Sequence, residues 1–154
     1  MNQQRRDALR ISTVLGLAVA TGLITPQEAR AAEGWNSAAF DTRSLNDTVS
    51  ALGGGRAAVS RDLVITAPEI AENGAVVPVS VSTTLANVRQ IAILVEKNPN
   101  ALSANFTISP GTDAYVSTRV KMAQTSNVYV LAKVDGKWLV ASKEIKVTLG
   151  GCGG

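Results

Sequence analysis

Histidine is absent from this 154-residue chain, and cysteine occurs once. The first absence removes Ser-His-Asp and Cys-His nucleophilic arrangements, histidine general bases and most zinc or copper sites. The second removes any intrachain disulfide, including the inter-sheet bridge of antibody-type domains. Aromatic residues are few as well. Trp35, Phe40, Phe106, Tyr115, Tyr129 and Trp138 are scattered singly, so they read as core or interface packing, not as a stacking platform for single-stranded nucleic acid. No apolar run reaches the ~20 residues of a membrane-spanning helix, which leaves no permanent membrane anchor. The acidic residues show no local pairing suited to acid/base work, although folding can bring distant carboxylates together. These gaps leave no catalytic residue, no metal site and no cofactor to assign.

What is present begins with the N-terminus. Met1 to Arg10 reads MNQQRRDALR, and a moderately apolar run from Ile11 to Ile24 leads to Pro26 and the small-residue site Ala29-Arg30-Ala31. These are the three parts of an export signal. The paired Arg5-Arg6, followed by Leu9 and Arg10, resembles the twin-arginine signal that carries folded proteins across the bacterial inner membrane. Gln4 and Ala8 depart from that pattern, and the general secretory route is the alternative. Either route predicts removal of residues 1–31 and a periplasmic mature protein. Cleavage after Ala31 leaves 123 residues, the size of one domain. It also removes Arg5, Arg6, Arg10, Arg30, Asp7 and Glu28, so the +3 charge of the whole chain falls to +1. The apparent basicity belongs to the signal, and no nucleic-acid partner follows from it.

The mature part is read as a sandwich over 32–149 and a tail over 150–154. In Thr42 to Leu52, Leu45, Val49 and Leu52 recur at helical spacing, and Gly53-Gly54-Gly55 stops the helix. A phosphate-binding P-loop has little support there, because Arg56 follows the glycines instead of Lys-Ser or Lys-Thr. From Leu63 onward the period becomes two. Val77, Val79 and Val81 form one inward set, and Leu102, Ala104, Phe106 and Ile108 another. Ile91 to Val95 is continuously apolar, Val116, Thr118, Val120 and Met122 alternate, and so do Val128, Val130, Ala132 and Val134. Asp135-Gly136 closes a hairpin. The last strand carries Trp138 and Val140 on one face but resumes with Ile145, Val147 and Leu149 on the other parity, which predicts a β-bulge near Lys143. Pro78 predicts an edge position for its strand. About seven strands of this kind, with one short N-terminal helix, predict an all-β, immunoglobulin-like β-sandwich.

The chain ends Lys146-Val147-Thr148-Leu149-Gly150-Gly151-Cys152-Gly153-Gly154. A cysteine flanked by glycines has no neighbours with which to pack a core, and glycine carries the largest ordering entropy. It is neither a lipobox cysteine at the cleavage site nor a prenylation box, which needs three following residues. A disulfide to another chain through Cys152, as a staple or a linked dimer, stays open. The other reading is a swinging arm. Three residues from Leu149 to Cys152 reach ~10 Å when extended, and Gly150, Gly151, Gly153 and Gly154 keep the cross-section near that of bare backbone. Such an arm can enter a narrow active-site channel on another protein. With no basic side chain beside it in sequence, the thiol is expected near its ~8.5 reference pKa, so partners must supply the activation. That combination describes a carrier whose thiol holds an intermediate while other proteins act on it.

The GGCGG terminus, together with the stretch RVKMAQTSNVYVLAKVDGKWLVASKEIKVTL before it and the twin-arginine-like leader, resembles the SoxY family. These are the sulfur-substrate carriers of the bacterial Sox thiosulfate-oxidising system. The resemblance implies a non-enzymatic role in which Cys152 bears the substrate sulfur and Gly150, Gly151, Gly153 and Gly154 form the arm. It further implies a heterodimer with SoxZ. A c-type cytochrome, SoxAX, would join thiosulfate to the cysteine as an S-thiosulfonate, and the hydrolase SoxB would release sulfate to leave a persulfide. A sulfane dehydrogenase would oxidise that persulfide before a second hydrolysis. Two alternatives belong to other classes. A ubiquitin-like sulfur carrier ends in diglycine but works through a terminal thiocarboxylate, without leader or cysteine. An extracytoplasmic sandwich stapled through Cys152 would keep the cysteine without needing the glycines.

Overall fold

The computed structural model describes residues 36–150, which leaves Arg5, Arg6, Ala29, Ala31, Gly151, Cys152, Gly153 and Gly154 outside the described residues. The elements in chain order are α1 (Ser37–Phe40), α2 (Leu45–Ala51), β1 (Ala58–Val59), β2 (Val64–Thr66), β3 (Ile70–Asn73), β4 (Val77–Ser82), β5 (Val88–Val95), β6 (Leu102–Thr107), β7 (Tyr115–Val120), β8 (Ser126–Val134) and β9 (Lys137–Leu149). Two sheets form the sandwich. The larger runs β1-β9-β8-β5-β6, with β3 also paired to β9, and the smaller runs β2-β4-β7.

Alternation builds the core between them. Val77, Val79 and Val81 of β4 face Ile91, Ile93 and Val95 of β5 and Val128, Val130 and Ala132 of β8 in one apolar cluster, with Met122 and Ile145 closing it. All of these side chains are fully buried, and each of the valines, isoleucines and the methionine contributes roughly 1.5–3 kcal/mol relative to exposure. The continuous apolar run in β5 has a different cause. Its Ala92 and Leu94 point the opposite way, into a second cluster with Leu131, Trp138, Val140, Val49 and Leu52. The larger sheet is therefore covered on both faces, by the smaller sheet on one side and by the helices on the other.

That second layer starts with α2. Ser44 caps it, accepting from the Asp47 N–H at 3.1 Å, and Val49 and Leu52 supply its buried stripe. Gly53, at φ 79°, turns the chain out of the helix. The preceding turn α1 was not legible as helix. It is four residues long and buries only Ala39, too short for a periodic signal.

The helix layer also overturns the expected bulge. The pairing of β8 with β9 keeps one unbroken register from Ser126↔Ile145 through Val128↔Lys143 to Val134↔Lys137. The parity changes because the covering layer changes: Trp138 and Val140 face the helices, whereas Leu139, Ala141, Ile145 and Val147 face the smaller sheet. Register shifts occur elsewhere, between Ile93 and Leu94 in the β5–β6 pair and between Val88 and Gln90 in the β5–β8 pair. The first accounts for β6, whose Leu102 lies in the helix-side cluster while Ala104 and Phe106 pack against the inter-sheet core.

The inference from Pro78 also needs correction, since β4 is the central strand of the smaller sheet. Its neighbour β2 is only three residues long and pairs with Ser80 to Ser82. Pro78 lies beyond the reach of β2 and is paired only on the β7 side, opposite Arg119, so no ladder bond there needs its missing N–H. The Asp135-Gly136 hairpin is as expected, with φ values of 48° and 78°, the positive pair of a type I′ turn.

Candidate functional site

The last strand delivers the chain end to one pole of the sandwich. β9 is held along one edge by β8, but β8 begins at Ser126, opposite Ile145. The remaining residues of β9 continue past it, paired in parallel with β3 through Ile70↔Lys146, Ala71↔Val147 and Asn73↔Leu149. β1 uses the same edge further back, at Leu139 and Val140. Between the two, the connecting segment crosses to the smaller sheet as β2, and the Lys143 ammonium donates to the Ala67 carbonyl oxygen at 2.6 Å.

Two loops then gather around the end of β9. The Val147 N–H donates to Thr125 Oγ1 at 2.9 Å, and the buried Gly74 N–H donates to the Leu149 carbonyl oxygen at 2.7 Å. The Gly74 carbonyl in turn accepts from the Met122 N–H at 2.7 Å. Asn98 braces the loop after β7: its Nδ2 donates to the Lys121 carbonyl at 2.7 Å and its Oδ1 accepts from the Ala123 N–H at 3.1 Å. Gly150, the last described residue, is half-buried against this loop. A Cβ built on it would overlap the Ala123 carbonyl oxygen.

Of the residues singled out in the tail, only Gly150 is placed. Gly74, Asn98, Ala123 and Thr125 were not singled out for the site. Asn73-Gly74 and Asn98-Pro99-Asn100 carry turn signals, but nothing in the sequence shows that these turns meet at the end of β9.

A cavity of about 630 Å³ lies between the β4–β5 and β6–β7 loops and includes Thr83, Arg89, Asp113 and Tyr115. Those loops stand at the opposite pole, where Val88 pairs with Val134 beside the start of β9. The 13 residues of β9 span ~43 Å at ~3.3 Å each, whereas two residues beyond Gly150 reach only ~7 Å. On the helix-covered face, Glu96 accepts from Asn127 Nδ2 at 2.9 Å and from the Tyr129 hydroxyl at 3.4 Å. Burial pushes the Tyr129 phenol above its ordinary pKa, and the adjacent Glu96 carboxylate pushes it further. No group of three His, Cys, Asp or Glu among the described residues is placed to hold a metal ion.

The sequence profile of the family described as "Sulfur oxidation protein SoxY" matches residues 49–152, about two thirds of the chain, from within α2 to the cysteine itself. The chain belongs to the SoxY family. Among solved structures, the sulfur carrier protein SoxY from Chlorobium limicola f thiosulfatophilum is 38% identical, with a TM-score of 0.58 over 67% of this chain and 96% of that one. A superoxide reductase (neelaredoxin) from Ignicoccus hospitalis is 23% identical, with a TM-score of 0.51 over 56% of this chain and 80% of the other. At that identity the second likeness concerns the sandwich fold alone. No match was found among curated protein sequences. SoxY membership accounts for the sandwich, and it places the protein in sulfur oxidation.

Proposed function

We propose that this SoxY-family protein is a periplasmic sulfur carrier, not an enzyme, and that Cys152 is the point at which sulfur intermediates are covalently held. The observation that carries the reading is the family match, which runs through Cys152 at 152 in a chain whose tail offers no other reactive side chain. The carrier described from Chlorobium limicola f thiosulfatophilum, similar over nearly its whole length, supports it. The twin-arginine-like leader with Arg5 and Arg6 supports the location.

The chemistry balances with electron acceptors on partner proteins. The Cys152 thiol and the sulfane sulfur of thiosulfate form an S–S bond, releasing one proton and passing two electrons to a c-type cytochrome. Water then cleaves the terminal S–S bond of the S-thiosulfonate, so that sulfate and a proton leave and a persulfide remains. A dehydrogenase removes six electrons from the outer sulfur, with three waters supplying the oxygens of the resulting S-sulfonate, and a second hydrolysis releases sulfate and a proton and restores the thiol. The family points to SoxZ as the stable partner and to SoxAX, SoxB and the sulfane dehydrogenase as transient ones.

The test is Cys152→Ser in a system reconstituted with those partners. Thiosulfate-dependent electron transfer should be abolished while folding and SoxZ binding persist. Substantial electron transfer by the serine variant would overturn the proposal, and a permanent disulfide from Cys152 to another chain would replace it with a stapled domain.

A further inference from the structure

The glycine at 150 has a different physical reason from flexibility. Its φ lies outside the left-handed region, so an alanine could adopt the same backbone. What an alanine lacks is room. Its Cβ would overlap the Ala123 carbonyl oxygen, a backbone atom that cannot swing aside as a side-chain tip could. The loop carrying that oxygen is held through Lys121, Met122 and Ala123, and again at Thr125, whose Oγ1 accepts from the Val147 N–H. Asn98 grips it through Lys121 O and Ala123 N, and Met122 N donates to Gly74 O, whose own N–H holds Leu149. Asn98, Gly74, Ala123 and Leu149 thus form one closed set of contacts around the chain as it leaves the sandwich.

We propose that Gly150 is a positioning residue: the Asn98-braced Ala123 carbonyl clamps it, so the tether carrying Cys152 is anchored at Gly150 and leaves the sandwich in a set direction. Asn98 acts through Ala123 and belongs to the same device. The proposal rests on the carrier reading only for its consequence. A fixed exit direction lets a partner that docks on the sandwich meet the sulfur in register, and displacement of a reacting group by ~1 Å can cost about 10²-fold in rate.

The experiment uses the full mature chain with Lys137→Cys, so that spin labels on that exposed residue and on Cys152 bracket β9. Pulsed electron resonance reads the distance distribution, and enzyme-catalysed thiosulfate conjugation is measured on the unlabelled chain without the Lys137 substitution. Gly150→Ala should shift or broaden the distribution and lower kcat/KM by about ten- to a hundredfold. Its melting temperature and its labelling rate with a small thiol reagent should match the parent. Asn98→Ala, which removes the brace, should by itself broaden the distribution, and adding it to Gly150→Ala should cost little more than the larger single loss, a non-additivity expected of groups that share one contact network; fully additive losses would count against the clamp. A Gly150→Ala distribution superimposable on the parent would overturn the clamp, whatever the turnover. The carrier reading fails by a separate result, retained turnover in Cys152→Ser, so the two failures are distinguishable.

Discussion

Gly54→Ala tests the three-layer architecture at its tightest point. A Cβ on Gly54 would overlap the Trp138 indole at Cδ1 and Nε1 and would lie 3.0 Å from Val49 Cγ1. Trp138 is only 3% exposed, and Lys133 Nζ lies 5.6 Å from its ring centroid on the helix-covered face, so the ring cannot retreat into solvent without disturbing the layer. Overpacking of this kind costs about 1–3 kcal/mol. The φ of Gly54 is ordinary, so alanine also reduces unfolded-chain entropy and returns about 0.4–1 kcal/mol. The net loss is about 1–2 kcal/mol, or about 4–8 °C in melting temperature at roughly 4 °C per kcal/mol for a domain of this size. Gly55→Ala is the control, because Gly55 has an ordinary φ and nothing within 4 Å of a built Cβ; it should leave the melting temperature unchanged or slightly raised. Thermal melting by circular dichroism reads both variants, and tryptophan emission should shift to the red only for Gly54→Ala. Equal melting temperatures for the two variants would refute the packing argument.

The other predictions concern the tail, the leader and a titration. Gly151→Val and Gly153→Val should each slow partner-catalysed turnover by bulk and lost φ freedom, while reagent labelling of Cys152 and melting stay at wild-type values; turnover at the wild-type rate in both would defeat the narrow-channel argument. Arg5→Lys with Arg6→Lys should strand the folded precursor in the cytoplasm, measured by cell fractionation, and normal periplasmic accumulation would point to the general secretory route. Glu96→Gln should lower the Tyr129 pKa toward but not down to its ordinary value, because burial is the larger cause; ultraviolet titration of the phenol reads it. The sign follows for stability: with the folded pKa raised, the contribution of Tyr129 is present below the unfolded pKa of ~10 and is lost as pH rises through the folded value. In Glu96→Gln that loss should begin at the same pH and be smaller.

The sequence made the sandwich legible where one face of a strand is buried. Val77, Val79 and Val81 fit that case, and the three are fully buried as a set. It misled where both faces are covered. In β9 the change from Trp138 and Val140 to Ile145 and Val147 looks like a slipped register, because period-two reading assumes a single covering layer; the unbroken pairing with β8 shows a change of layer instead. Leu102 and Ala104 gave the opposite error, appearing as one face although a register shift sends them to different clusters. Pro78 was read by propensity alone, and the shortness of β2 is a tertiary fact that no local pattern carries. The candidate site divides in the same way. Cys152 and its glycines stand out by composition, whereas the clamp around Gly150 is assembled from Gly74, Asn98 and Ala123, residues from three separate turns and loops.

Mass spectrometry of the native, unreduced tryptic fragment Val147–Gly154 tests the carrier role most directly. The protein is isolated from periplasm after exposure to thiosulfate in the presence of its partners, and the fragment is measured without reductant. The carrier account predicts thiosulfonate and persulfide adducts on Cys152 that disappear on reduction and are absent when thiosulfate is withheld. A fragment found only as the free thiol, or only in a permanent disulfide to another chain, would contradict it.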